Sequence, residues 1–201
     1  MLNFPDPRSK RPILENNRYM KPIIRIASPG DAAGMLEIYG PFVENTSITF
    51  ETIRPTEAQF RSRVCDYLEN YPWLVAEMDG KIAGYAYACR HRERLAYQWS
   101  VEVSVYISEE FKRSGIARTL YEELFLLLKQ QGFRNAYAVI NLPNDPSVAF
   151  HESLGFNWFA TYEQVGYKLG KWKNVGWWRK VLNQFSDEPE APIPFSVLPK
   201  H

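Results

Sequence analysis

Val105-Tyr-Ile-Ser-Glu-Glu-Phe-Lys112-Arg-Ser-Gly115-Ile-Ala117-Arg118 joins an apolar strand to an amphipathic helix, and the rest of the chain is organised around it. Upstream, Val101, Val103 and Val105 alternate with Glu102 and Ser104, the period-2 pattern of a strand, predicted over Tyr97–Ile107. Downstream, Ile116, Leu120, Leu124 and Leu128 recur at helical spacing, and Gly132 stands where such a helix stops. In the turn between them, Gly115 and Ala117 are small enough for a ligand to approach the backbone closely. The unpaired N–H groups of the first helical turn attract an anion, and the helix dipole assists them. Lys112, Arg113 and Arg118 add positive charge around Ser114 and Ile116, so the turn suits a pyrophosphate. The patterns GxxxxGK[ST] and GxGxxG are absent, which excludes a nucleotide-hydrolase phosphate loop and a dinucleotide fingerprint. On this segment alone, a plain helix start with solvated basic residues remains an equal reading.

Outward from this loop the pattern alternates. Ile23–Ala27 reads as a short strand, and Ser28-Pro29 starts a helix running to about Glu44, which Gly40-Pro41 should break or end. Thr56-Glu-Ala-Gln59 is a capping box opening a helix to about Asn70. Trp73–Met78 and Lys81–His91 flank Asp79-Gly80, a hairpin signal. Ala136–Leu142 is an apolar strand, Pro146–Leu154 a short helix stopped by Gly155, and the remainder to Leu182 reads as two strands. The order predicts a mixed α/β (α+β) domain. Four prolines within residues 1–22 and four within 186–201 mark extensions without cores of their own. Residues 23–182 are left as the domain, and 183–201 form a Pro-rich tail from which Phe195 and Val197 are candidates to dock.

The chain of 201 residues carries a formal net charge of +1, so a general nucleic-acid binder, with its strong basic excess, is not expected. No uninterrupted apolar run of about 18 residues is present, so no membrane span is expected. Cys65 and Cys89 are too few for a disulfide framework, and three scattered histidines offer no metal site. A reducing, cytoplasmic setting is the expectation. The 12 Phe, 12 Tyr and 6 Trp are enough for a large core, an aromatic pocket or a dimer face.

A second segment gives the loop its meaning. Asn144-Asp-Pro-Ser147-Val-Ala-Phe150-His151-Glu152-Ser-Leu-Gly155-Phe156 follows the next strand. Together the two resemble the paired acetyl-CoA motifs of the GNAT N-acetyltransferases. The first, [QR]-x-x-G-x-[GA], is matched by Lys112-Arg-Ser-Gly115-Ile-Ala117 with Lys112 in place of Gln or Arg, and the second, N-x-x-S-x-x-[FL]-[YH]-E-x-x-G-F, by Asn144 to Phe156. Tyr71-Pro-Trp-Leu-Val-Ala-Glu77, Ala96-Tyr97, Val101-Glu102, Ser104-Val-Tyr106 and Gly166-Tyr167-Lys168 make the chain similar to the phosphinothricin N-acetyltransferases within that superfamily.

The resemblance implies a GNAT fold, a mixed central sheet with flanking helices and one splayed pair of parallel strands. It implies acetyl transfer from acetyl-CoA to the amine of a small acceptor such as phosphinothricin, methionine sulfoximine or methionine sulfone, without a metal. Glu102 would be the general base, directly or through water. His151 would donate a proton to the departing thiolate or orient the acceptor, with a packed helix histidine as the alternative. The loop from Lys112 to Arg118 would hold the pyrophosphate. Backbone N–H groups of Val105, Tyr106 and Ile107 would meet the oxyanion and the pantetheine arm, and Asn144 and Ser153 would contact the arm. Leu95, Ala96 and Tyr97 would lie near the acceptor, with one of Arg90, Arg92 and Arg94 on its carboxylate. A homodimer is expected, with Tyr167–Trp178 as a candidate face. An acetyltransferase for an aminoglycoside or a protein N-terminus, and a non-catalytic CoA-binding module, remain the rival readings.

Overall fold

The computed structural model describes residues 21–199; most of the extension expected over 1–22, and the last two residues, lie outside that range. Seven strands form one sheet in the order β1-β2-β3-β4-β5-β7-β6. They are β1 (Ile23–Ile26), β2 (Trp73–Met78), β3 (Lys81–Arg90), β4 (Ser100–Ile107), β5 (Asn135–Leu142), β6 (Asn157–Lys168) and β7 (Lys171–Val181). The helices are α1 (Ala32–Asn45), α2 (Glu57–Asn70), α3 (Ile116–Gln130) and α4 (Asp145–Ser153). All neighbours are antiparallel except β4 and β5. This is a mixed α/β fold.

Local chemistry explains most boundaries. The capping box of α2 forms: Gln59 N–H donates to Thr56 Oγ1 at 3.2 Å, and Thr56 N–H donates to Gln59 Oε1 at 2.8 Å. Asp79 and Gly80 turn β2 into β3 with φ of 51° and 73°, the left-handed pair that a two-residue hairpin needs. The helix starting after Ser28 does not break at Gly40-Pro41, because α1 continues to Asn45 with Pro41 inside it. Pro41 and Glu37 are both exposed, so the carbonyl that Pro41 leaves unpaired faces solvent. β4 starts at Ser100 rather than Tyr97, and Leu95–Tyr97 is a single 3₁₀ turn.

The strand period divides the interior in two. Val101 and Val103 point to the face covered by Ile116, Leu120, Tyr121 and Leu124 of α3, and Phe156 joins the same core. The opposite face of β2–β3 holds Trp73, Val75 and Tyr85 against Met35, Tyr39, Phe60 and Val64 of α1 and α2. Tyr106 packs there, with ring centroids 5.0 Å from Tyr39 and 5.4 Å from Tyr85. Glu102 and Ser104 share the parity of Tyr106 and therefore its face.

The C-terminal segment is strapped to the body. Ile193 N–H donates to the Gln131 carbonyl at 2.8 Å, and Gln131 Nε2 returns a bond to the Ile193 carbonyl at 2.7 Å. Trp99 Nε1 donates to the Glu190 carbonyl at 2.8 Å. Of the two apolar residues expected to dock, Phe195 is buried and Val197 is exposed, with Leu198 buried in its place. The 3₁₀ turn over Phe195–Val197 explains the exchange, because three residues per turn put 195 and 198 on one side.

Candidate active site

β4 and β5 are bonded only over Ser100–Glu102 against Asn135–Tyr137, after which no ladder joins them although both strands continue. β5 meanwhile pairs with β7 along its whole length. The sheet therefore opens into a wedge with Glu102 at its apex. Ser108 N–H bonds the Ala83 carbonyl of the β3 side at 2.9 Å. The antiparallel alternation then turns Tyr106 N–H toward β3, and Val105 and Ile107 N–H into the wedge. Those two amides are donors on an open strand edge, available to an extended amide-bearing ligand or to an oxyanion.

The phosphate-loop candidate lies at the wide end. Gly115 caps α3 with φ 87°, and no atom stands within 4 Å of a side chain's Cβ built there. Arg118 N–H is the first to bond back, to the Gly115 carbonyl at 3.0 Å, so Ile116 and Ala117 precede the first intrahelical bond. Lys112, Arg113, Ser114 and Arg118 are exposed around the turn. Arg118 donates to Ser153 Oγ at 2.8 Å, tying the start of α3 to the end of α4. Asn144 caps α4 by accepting from Ser147 N–H at 3.3 Å. Both motifs thus meet on one side of the wedge. A Cβ-free, positive-φ turn with free amides and basic neighbours fits a pyrophosphate, and the open edge of β4 fits the arm of acetyl-CoA.

Glu102 has a built surround. His91 Nδ1 lies 3.0 Å from Oε1, and Arg92 Nη1 lies 3.6 Å from the same oxygen. Burial raises the carboxyl pKa above its ordinary value, against the opposing pull of His91 and Arg92. Of the three arginines considered for the acceptor, Arg92 reaches Glu102, whereas Arg90 pairs with Glu93 at 2.9 Å. Arg94 and Leu95 line a cleft of about 260 Å³ against the C-terminal strap, which Arg90 and Arg92 border as well. Tyr97 comes to the site, its ring 6.2 Å from His91, while Ala96 is exposed beside it.

His91, Tyr137, Tyr162 and Trp177 carried no signal in the sequence as site residues, whereas Arg92 is one of three arginines expected for the acceptor, and Phe50 reads from sequence as a wall of its pocket or as core. His91 stacks on Tyr137 at 4.5 Å and meets the edge of Trp177 at 5.8 Å. Arg92 lies over the Trp177 ring at 5.3 Å, and Tyr162 packs on Trp177 at 5.3 Å. The α1–α2 loop closes one end: Lys168 Nζ donates to the Thr49 carbonyl at 2.8 Å, and the Phe50 ring lies where a Cβ on Gly166 would stand. Aromatic residues on strands normally read as core, and only the fold shows that these gather around His91 and Glu102 where β4 and β5 part.

His151 does not join Glu102. It belongs to the α3 side of the sheet and is 6% exposed among Phe150, Phe156 and Tyr121. Its Nδ1 is 2.7 Å from the Ser147 carbonyl, which can only accept, so Nδ1 carries the hydrogen. Nε2 then accepts from the Tyr121 hydroxyl at 3.2 Å. Both nitrogens are engaged, which leaves none free for a thiolate in this arrangement. Burial lowers the His151 pKa. A histidine depressed in the folded state favours folding above its unfolded pKa of about 6.5, and that contribution is lost as pH falls below it. Replacing His151 with Phe should shrink the drop in melting temperature between pH 7.5 and 5.5; an equal drop in both proteins would contradict this.

The family model described as "Acetyltransferase (GNAT) domain" matches residues 24–177. The phosphinothricin N-acetyltransferase of Streptomyces viridochromogenes is 41% identical over 157 residues, covering 78% of this chain and 86% of the relative. The L-methionine sulfoximine/L-methionine sulfone acetyltransferase of Salmonella typhimurium is 31% identical over 170 residues, covering 84% and 97%. The crystal structure of a GNAT superfamily phosphinothricin acetyltransferase from Sinorhizobium meliloti in complex with AcCoA superposes with a TM-score of 0.82 at 33% identity, covering 90% of this chain and 100% of that one. A splayed β4–β5 pair with a glycine-capped α3 at its mouth, matched in sequence and structure over most of the chain, makes this protein a member of the GNAT family of acetyl-CoA-dependent N-acetyltransferases.

Proposed function

We propose that the protein acetylates the α-amine of a small amino-acid-like acceptor of the phosphinothricin, methionine sulfoximine or methionine sulfone type, with Glu102 as general base. The observation that carries this is the place of Glu102. It stands at the last bonded pair of β4 and β5, in an aromatic surround, next to the open strand edge that suits the acetyl-CoA arm. Relatives named for these acceptors match the chain nearly end to end of their own length.

Glu102 takes the ammonium proton, the electron pair stays on nitrogen, and the amine attacks the thioester carbon. Val105 N–H, nearer the apex, stabilises the oxyanion of the tetrahedral intermediate, while Ile107 N–H, about 6.5 Å further along the same edge, bonds the arm. As the C–S bond breaks, the proton left on nitrogen passes to the departing thiolate, giving the neutral amide and the free thiol. The loop from Lys112 to Arg118 anchors the pyrophosphate, and Ser153, held by Arg118, and Asn144 border the arm. Arg92 supplies positive charge for the acceptor's anionic group, and Tyr97, Tyr137 and Trp177 limit its size. His151 shapes α4 through its bonds to Ser147 and Tyr121 and takes no part in proton transfer. The test is thiol release from acetyl-CoA with phosphinothricin or methionine sulfone. Release is expected with the free amines and not with their N-blocked forms; release with neither free amine overturns the proposal.

We further propose a homodimer in a reducing compartment such as the cytoplasm. Trp158, Phe159, Tyr162, Val165, Tyr167 and Trp172 are exposed on the β6–β7 hairpin, whereas Trp177 and Trp178, counted with that face from sequence, are buried. Cys65 and Cys89 are free thiols. No helix among the described residues is long and apolar enough to cross a membrane. Light scattering should give twice the chain mass of 23.4 kDa, and Trp172→Glu should shift it toward one copy; a monomeric parent would remove the dimer.

A further inference from the structure

We propose that His91 is the positioning residue for Glu102: its Nδ1–H fixes Oε1 and so leaves Oε2 for the acceptor's ammonium. This rests on the reading of Glu102 as the base. The Nδ1–Oε1 distance is 3.0 Å, and the side chains are 13% and 26% exposed, so the bond is sheltered without being sealed from an acceptor. A carboxylate oxygen can only accept, so Nδ1 carries the hydrogen whenever Glu102 is ionised.

The ring cannot turn freely. It lies nearly parallel to Tyr137, with centroids 4.5 Å apart and planes 19° apart, and Trp177 and Tyr97 close on its edge at 5.8 and 6.2 Å. Tyr137 is the β5 partner of Glu102 at the apex of the wedge. The stack thus fixes the imidazole to the strand that parts from β4, and the imidazole fixes the carboxylate at that point. The residue therefore sits at the end of β3, outside both acetyl-CoA motifs, yet governs the group that opens the reaction.

The charged and titratable groups around the pair come from every neighbouring element. Arg92 lies 3.6 Å from Oε1, Cys89 is the β3 partner of Glu102, Tyr97 comes from the 3₁₀ turn, and Tyr137 from β5. The Cys89 thiol is pushed up to about 12 by burial and by Glu102, so it stays neutral near pH 7. The His91 hydrogen bond and the positive charge of Arg92 both favour the carboxylate form, while burial opposes it. In the transfer itself, an N–H bond of the acceptor breaks, its electron pair stays on nitrogen, and the proton bonds to Oε2. His91 keeps its own hydrogen throughout.

The test is the pH profile of kcat/KM for a methionine sulfone acceptor in His91→Phe and His91→Asn, with Glu102→Gln alongside. Phe keeps a flat ring for Tyr137 and Trp177 but has no donor, whereas Asn places an amide N–H near the position of Nδ1. Loss of the donor should move the acidic limb of His91→Phe upward by about one pH unit, tenfold in rate on that side, with acetyl-CoA affinity within about twofold of the parent. His91→Asn should return the limb toward the parent value. A limb that stays in place in His91→Phe, whether the rate is normal or lowered equally at every pH, overturns the positioning role. Near-normal turnover in Glu102→Gln would instead overturn the base reading and this inference with it; an inactive Glu102→Gln beside an unmoved His91→Phe limb overturns this inference alone.

Discussion

Glu102→Gln lowers turnover by roughly 10²–10⁴, the usual worth of a general base, and leaves acetyl-CoA affinity nearly unchanged. The size of the effect follows from the task. Near pH 7 an α-amine is mostly ammonium, without a lone pair to attack, and Glu102 is the carboxylate at the point where β4 and β5 part. Gln keeps the volume and the bond from His91 to Oε1, so the variant removes the base without emptying the site. In the proposed mechanism affinity for acetyl-CoA rests with the loop at the far end of the wedge, which the substitution does not touch. Activity recovers in part at high pH, where free amine becomes abundant. Steady-state rates with saturating acetyl-CoA, paired with a direct binding titration, check this; near-normal turnover at pH 7 removes Glu102 from the role.

Gly115→Val raises the acetyl-CoA dissociation constant by roughly tenfold or more, about 1.4 kcal/mol for each factor of ten. Two effects need separating. The position is at φ 87°, where a β-branched side chain is strained, so the variant also loses about 1–2 kcal/mol of stability. The exposed start of a helix is thus less tolerant than sequence alone suggests. Packing adds nothing to that cost, because a Cβ at Gly115 meets no protein atom within 4 Å. The same open space is where a pyrophosphate would approach the amides of Ile116 and Ala117. Titration at a temperature well below the variant's melting point isolates the binding term. Unchanged affinity in a folded variant would place the phosphates elsewhere.

What the sequence disclosed and what it withheld divide along physical lines. The loop from Lys112 to Arg118 was legible because strand period, turn residue and helix period adjoin within a short stretch, each imposed by local backbone geometry. The capping box at Thr56 and the Asp79-Gly80 hairpin were legible for the same reason. The passage of α1 through Pro41 was not, because the cost of a proline depends on whether its orphaned carbonyl meets solvent, a tertiary fact. The 3₁₀ turn at Leu95–Tyr97 was not legible, and its last residue, Tyr97, reads as the start of the strand because aromatic residues suit both.

The site was half visible. Glu102 stood out as a charge among valines, and the resemblance gave it a role. His91, Tyr137 and Trp177 were hidden because their chemistry arises across β3, β5 and β7, which register alone brings together. His151 stood out by its motif, yet the fold turns it toward Tyr121 and Ser147. The C-terminal strap read as an extension because its bonds to Gln131 and Trp99 run largely through backbone carbonyls, which leave no trace in residue type.

Acetylation of a small zwitterion at its α-amine, the activity proposed for this wedge, is decided by a side-by-side comparison of kcat/KM. Phosphinothricin, methionine sulfone, an aminoglycoside and a short peptide are each offered with acetyl-CoA at fixed concentration. Phosphinothricin or methionine sulfone is expected to have the highest specificity constant, because in the proposed site Arg92 would pair with its anionic group while Tyr97, Tyr137 and Trp177 would exclude bulk. A peptide or aminoglycoside preferred by tenfold or more would contradict it.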